Sequence, residues 1–355
     1  MARGIPVLIV AGFLGAGKTT LLNHLLRQRD ARIGVVVNDF GAVNIDAMLV
    51  AGQVDAMVSL GNGCVCCAVD VGELDEMFER LSQPRNRIDV IVVEASGLAE
   101  PGNLIRMVLG SDNPRIHYGG LLEVVDAEHF DDSRALHPEL AAHLRLADLV
   151  VLNKADRVPE QRLARLRAEI TEAVEPAPVY ATTHGRIDPH LLFDVPERGE
   201  PTVAEQLSFD ELFADHDHHH DDGHRHLHDD YDTVTFTSAT PLDPRRLVEF
   251  LEKSPPGLFR AKGHAVFAVP GEHRKFLLHM VGRHVVFEPV TARGESDETC
   301  VVLIGSGMDA EAVTARLRDA VHPDTEPLDA QTLLGVWHYV PRALSDTLEY
   351  ADMPE

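Results

Sequence analysis

The sequence predicts an α/β protein: a phosphate-loop domain on a mostly parallel sheet, followed by a smaller α+β domain. Three observations carry this expectation. Near-continuous Val/Ile/Leu runs alternate with helical patterns across residues 1–205, as in βαβ units. A glycine-rich loop follows the first run and opens a helix. An acidic, histidine-rich stretch at 206–232 then breaks the pattern before it resumes through 330. A length of 355 residues agrees with two domains.

In the first domain, Val7–Val10, Ile33–Val37, Val90–Val93, Leu121–Val125 and Leu149–Leu152 read as buried strands. Helical patterns occupy 18–29, 71–82, 101–109, 138–146 and 159–174, and the Pro- and Gly-bearing stretch 195–202 closes the domain. Residues 210–232 hold nine acids against Arg225 alone and show no apolar periodicity, which is the composition of a solvated linker. Beyond it, Thr233–Thr237, Ala265–Val269, His284–Glu288 and Cys300–Ile304 read as strands and 243–253 and 309–321 as helices. Residues 331–355 give no signal and are taken as a tail.

Hydrophobic residues at 45% and charged residues at 25% exclude a wholly disordered or fibrous chain. Thirty-two basic against 57 acidic residues leave a net charge of −25, a field that repels nucleic acid and anionic membrane surfaces. Four cysteines cannot make a disulfide scaffold, and three of them crowd into Cys64, Cys66 and Cys67, so metal or redox chemistry in a reducing cytoplasm is expected. The apolar run Ile5–Ala16 imitates a signal peptide but leads straight into the phosphate loop. No run of 18 apolar residues occurs, so a soluble protein is expected.

Gly12-Phe-Leu-Gly15-Ala16-Gly17-Lys18-Thr19 fits G-x-x-x-x-G-K-[ST] between a strand and the helix opening at Thr20. Glycines let successive N–H groups turn inward around phosphate oxygens, and the helix N-terminus adds its positive end. Lys18 would reach the β- and γ-phosphates and the Thr19 hydroxyl would ligate Mg²⁺. Asn153-Lys154-Ala155-Asp156 follows the Leu149–Leu152 strand. A carboxylate at Asp156 can accept from guanine N1–H and the 2-amino group, a donor pair adenine lacks, while Asn153 and Lys154 would brace the loop and pack on the base. The expected ligand is GTP.

Asn38-Asp39-Phe40-Gly41 and Glu94-Ala-Ser-Gly97 follow the second and third strands. Such strand ends carry the acid near Mg²⁺ and a glycine that senses the γ-phosphate. Glu94 is the candidate for holding Mg²⁺ through water, and Gly97 for the sensor. Asp39 reads equally as a turn or helix-cap acid. No residue stands out as the activator of the attacking water.

Between these segments lies Gly61-Asn62-Gly63-Cys64-Val65-Cys66-Cys67. Three close thiolates can converge on one Zn²⁺ or Co²⁺ and leave a position open, which suits a metal that must later leave. His216, His218, His219, His220, His224, His226 and His228 offer auxiliary imidazoles, as a loose reservoir or only as part of a tether. Cys300 opens an apolar strand and reads as a core residue. His264, His273, His279 and His284 read as surface or core histidines before ligands.

A guanine-type pocket with a thiolate loop between its switches resembles the CobW family of P-loop metal-chaperone GTPases. The resemblance rests on residues 12–20, 62–67, 94–101 and 153–156, in that order, and on Arg260-Ala-Lys-Gly263 and Val302-Leu-Ile-Gly305 in the second domain. It implies slow GTP hydrolysis coupled to transfer of a transition metal, zinc before cobalt, to a client apo-metalloprotein or cofactor-synthesis enzyme. The second domain would dock the client or regulate. The family commonly has Asn-Glu-Phe-Gly-Glu at the first switch. Here Asp39 is a methylene shorter and Ala42 replaces an acid, so no fourth metal ligand is assigned. The rival expectation is a metal-binding or stress-sensing protein that uses GTP only as a switch. A P-loop phosphotransferase is disfavoured, because no acceptor-activating base stands out.

Overall fold

A computed structural model describes residues 4–28, 31–37, 56–59, 71–96, 100–195, 231–291, 298–323 and 328–341. Within them the first domain is a seven-stranded sheet of β1 (Ile5–Gly12), β2 (Ile33–Val37), β3 (Ala56–Ser59), β4 (Val90–Glu94), β5 (Ile116–Asp126), β6 (Leu149–Asn153) and β7 (Val179–Ala181), ordered β3-β2-β4-β1-β5-β6-β7. Every pairing in it is parallel. Because helices cover both faces, the central strands are apolar at successive positions. Leu8 and Val10 pack with Leu21, Leu22 and Leu25 of α1 (Lys18–Arg27). Val7 and Ile9 turn the other way, onto Leu74 and Phe78 of α2 (Val71–Leu81) and Leu104 of α3 (Pro101–Leu109). The remaining helices here are α4 (Phe130–Leu136), α5 (Leu140–Leu146), α6 (Glu160–Val174) and α7 (Pro189–Leu192).

The second domain is a five-stranded antiparallel sheet of β8 (Asp232–Ser238), β9 (Leu258–Ala265), β10 (Arg274–Val281), β11 (His284–Thr291) and β12 (Thr299–Gly305), ordered β11-β10-β9-β12-β8. Helices α8 (Pro244–Glu252) and α9 (Ala310–Asp319) bury Leu247, Leu251, Val313 and Leu317 in its core. Asp243 caps α8 by accepting from the Arg245 N–H, and Asp309 caps α9 at the Ala312 N–H.

Two expectations need correction, and several elements are unexpected. The strand expected at Ala265–Val269 lies earlier: β9 ends at Ala265, and Phe267 makes only an isolated bridge to Leu242. Arg260 and Lys262 made the true strand look polar, yet both are buried against the Asp194 carboxylate, Arg260 Nη2 donating at 2.7 Å. Elements β3, β7, β10, α4 and α7 have no counterpart among those expected from the sequence. Residues 331–341, read as tail, carry α10 (Leu334–Trp337) and bury Leu333, Val336 and Val340 in the second domain's core.

The two domains are packed together. Phe259 and Ile304 lie in the same apolar cluster as Leu122 and Ile187. The Gly257 N–H donates to Pro176 O at 3.1 Å, and Arg283 Nη2 to Glu175 O at 3.1 Å. His279 lies against His117, ring centroids 5.9 Å apart, and His284 edge-on to Tyr118. Among the described residues no helix is long and apolar enough to cross a membrane.

Candidate nucleotide-binding site

Strand β1 delivers the phosphate loop at the carboxyl edge of the sheet, where two glycines are sterically required. A Cβ on Gly12, at φ 138°, would lie 2.3 Å from Val124 O. One on Gly17, at φ 107°, would lie 2.3 Å from Asn153 Nδ2. Gly15 also has positive φ, the Ala16 N–H turns back to Phe13 O at 3.1 Å, and Thr20 lies exposed in the first turn of α1. Lys18 is buried, its Nζ donating to Gly12 O at 2.8 Å and Phe13 O at 3.2 Å, so the ammonium is folded onto the loop it serves.

Parallel register sets Val10 beside Glu94, and the Thr19 hydroxyl donates to Glu94 Oε1 at 2.9 Å. A hydroxyl and a buried carboxylate this close form the oxygen-rich donor set that Mg²⁺ takes. Beyond β5, Asn153 ends β6 and is buried. Its Nδ2 donates to Ala16 O at 2.9 Å and its Oδ1 accepts from the Gly185 N–H at 2.9 Å, tying the phosphate loop to the turn after β7. Lys154 follows in the left-handed region, φ 59°. Asp156 stands exposed in the short 3₁₀ turn Ala155–Arg157. One sheet edge thus gathers Gly12–Thr20, Glu94 and Asn153–Asp156. Asp39, Gly41, Gly97, Cys64, Cys66, Cys67 and the linker histidines His216–His228 lie outside the described residues.

Two acids here were not singled out from the sequence. Glu123, paired in register with Ala11, is buried with its Oε2 lacking a hydrogen-bond partner. Burial raises its pKa from 4.5 to about 8, and the nearby Lys18 charge pulls it partly back. Asp126 ends β5, and its Oδ2 receives Lys154 Nζ at 2.6 Å. Burial pushes the Asp126 carboxyl up, but hydrogen bonds from Lys154 and His129 outweigh it and hold its pKa below the ordinary value. Asp126 could have been suspected as an acid at a strand end. Glu123 gave no signal, being one polar residue inside an apolar run.

The parallel sheet, the glycine loop and the lysine–threonine pair define a P-loop nucleotide-binding protein. The description "CobW/HypB/UreG, nucleotide-binding domain" matches residues 6–181, and "Cobalamin synthesis protein cobW C-terminal domain" matches 231–321. The chain belongs to the CobW family. It is 30% identical over 349 residues to a "Zinc chaperone CobW" of Sinorhizobium sp, covering 88% of this chain and 96% of that one. It is 32% identical over 360 residues to a protein of the same name from Pseudomonas aeruginosa, covering 89% and 92%. The solved structure of Zn(II)-bound YjiA GTPase from E. coli aligns with a TM-score of 0.44 at 23% identity, covering 90% of this chain and all of that one.

Proposed function

We propose that this chain is a GTP-hydrolysing metallochaperone, carrying a transition metal, zinc ahead of cobalt, to a client apo-metalloprotein or cofactor-synthesis enzyme in the cytoplasm. One observation carries the coupling. Val37 at the end of β2 is a register neighbour of both Ser59, ending β3, and Glu94, ending β4. Asp39 follows Val37 by two residues, Cys64 follows Ser59 by five and Gly97 follows Glu94 by three. The strands that lead into both switch segments and into the cysteine segment therefore all end at the sheet edge that bears the phosphate loop. In this reading a nucleotide that orders the switches biases the thiolates through the neighbouring strand ends.

In the chemistry this implies, the loop N–H groups and Lys18 take the β- and γ-phosphates, Lys18 exchanging two loop carbonyls for phosphate oxygens. Thr19 would ligate Mg²⁺ and Glu94 would hold it through water, and the ion would supply neutralisation of charge on the phosphoryl oxygens. Asp156 accepts from guanine N1–H and the 2-amino group. Cys64, Cys66 and Cys67 hold the transported metal, and loss of the γ-phosphate relaxes the switches and frees it.

The test is anaerobic Zn²⁺ and Co²⁺ titration of protein loaded with a non-hydrolysable GTP analogue or with GDP, beside the Cys64/Cys66/Cys67→Ser variant. Tight binding that depends on nucleotide and vanishes in the variant is expected. Equal affinity in both nucleotide states overturns the coupling, and binding that survives the variant moves the metal elsewhere.

A further inference from the structure

The guanine loop is held by its neighbours, and the residues that hold it lie outside every motif. Asp126 is the register partner of Asn153 across β5 and β6, so its carboxylate sits beside the start of that loop. Oδ2 takes the Lys154 ammonium at 2.6 Å and the His129 ring at 3.1 Å. Oδ1 takes the Glu128 N–H at 2.9 Å. Lys154 meanwhile adopts a left-handed backbone, a conformation disfavoured for a residue with a Cβ unless its surroundings fix it. A second pair runs beside the first, Arg157 Nη1 donating to Glu128 Oε2 at 3.2 Å. Farther on, Arg162 pairs with Asp131 and Arg134 with Glu169. Four ion pairs thus fasten residues 126–134 to residues 154–169, and the most buried of them falls on the guanine-loop lysine.

We propose that Asp126 is a positioning residue for base recognition: through Lys154 it sets the guanine loop, with the Glu128–Arg157 pair as a second fastener. It touches no nucleotide itself. Lys154 is held by a carboxylate on the neighbouring strand, so the loop is arranged before the base arrives and less ordering is left to binding. The inference rests on the guanine-nucleotide reading of the site.

The experiment uses the full chain, a fluorescent GDP and two competitors. Xanthosine diphosphate reports on the base loop, and inorganic tripolyphosphate reports on the phosphate loop alone. Asp126→Asn keeps the acceptor for the Glu128 N–H and loses the charge facing Lys154. It is expected to weaken GDP about tenfold, the scale of a lost charge-assisted hydrogen bond, with tripolyphosphate changed less than about twofold. A merely structural role would weaken both ligands together. In a Lys154→Met background Asp126→Asn is expected to cost almost nothing more. Glu128→Gln, at the exposed pair, is expected to weaken GDP about twofold without threatening the fold. Unchanged GDP affinity in Asp126→Asn, or an equal loss with Lys154 already removed, overturns the proposal. Asp156→Asn checks the underlying reading separately. Its amide should trade the guanine 2-amino group for the xanthine 2-carbonyl, so a preference that does not move sinks the guanine assignment, whatever Asp126 does.

Discussion

Replacing Glu123 by Gln tests whether the native protein holds a proton beneath its phosphate loop. Burial holds this carboxyl at a pKa of about 8, against 4.5 in an ordinary setting. The folded chain therefore keeps a proton that the unfolded chain releases as pH rises from 4.5. The associated stability is complete below 4.5 and is lost progressively until about 8, where the folded group also ionises. At about 1.4 kcal/mol per pH unit, the loss between pH 5 and 8 comes to about 4 kcal/mol. A glutamine at this position has no proton to lose. Its amide places a donor where no acceptor waits, a penalty of about 1–3 kcal/mol, but that penalty is the same at every pH. The informative quantity is therefore the difference between the two stability curves, which should move in favour of Glu123→Gln by about 4 kcal/mol from pH 5 to 8. Urea unfolding followed by far-ultraviolet circular dichroism measures it. Trp337, the single tryptophan, lies on the second domain's core and would report the wrong region. Parallel curves for the two proteins across that range would refute the reasoning.

Two further substitutions probe the site and the seam between domains. Gly17→Ala would set a Cβ on Asn153 Nδ2 and force a side-chain-bearing residue to φ 107°; strain plus the lost Ala16–Asn153 bond amounts to about 2–3 kcal/mol of folding stability, read as a lowered thermal midpoint, and an unchanged midpoint would refute it. Asp194→Ala would strip the buried Arg260 and Lys262 of their shared carboxylate; a destabilisation of about 3–5 kcal/mol is expected, read as a lowered thermal midpoint, and a midpoint that stays put would show the pair is solvated in solution.

Much of the first domain was legible because its physics is local. A strand covered on both faces must be apolar at successive positions, so Val90–Val93 and Leu149–Leu152 announce themselves. The phosphate loop is equally local, since its glycines are fixed by close approaches such as Gly12 to Val124 O. What escaped depends on partners distant in the chain. Strand β9 carries Arg260 and Lys262, whose charge is met by Asp194, more than sixty residues away. Strand β10 sends Phe276, Leu278 and Met280 into the core, with Lys275, Leu277 and His279 on the opposite face, and that mixed set hid the period. Asp126 and Glu128 look like ordinary turn acids until Lys154 and Arg157 are brought against them.

The shared cluster that takes in Phe259 and Ile304 bears on what happens when the polypeptide is cut. Burying two such side chains contributes about 3–6 kcal/mol, and the Asp194 pairs add to it, so the halves are held by more than their tether. A protease that nicks the acidic stretch between them would yield two fragments that still migrate as one particle. Expressing either half alone would instead bare the apolar surface that meets around Phe259 and Gly120 and invite aggregation. Anyone isolating the nucleotide-binding half should therefore carry the second sheet along, or first make its mating face polar.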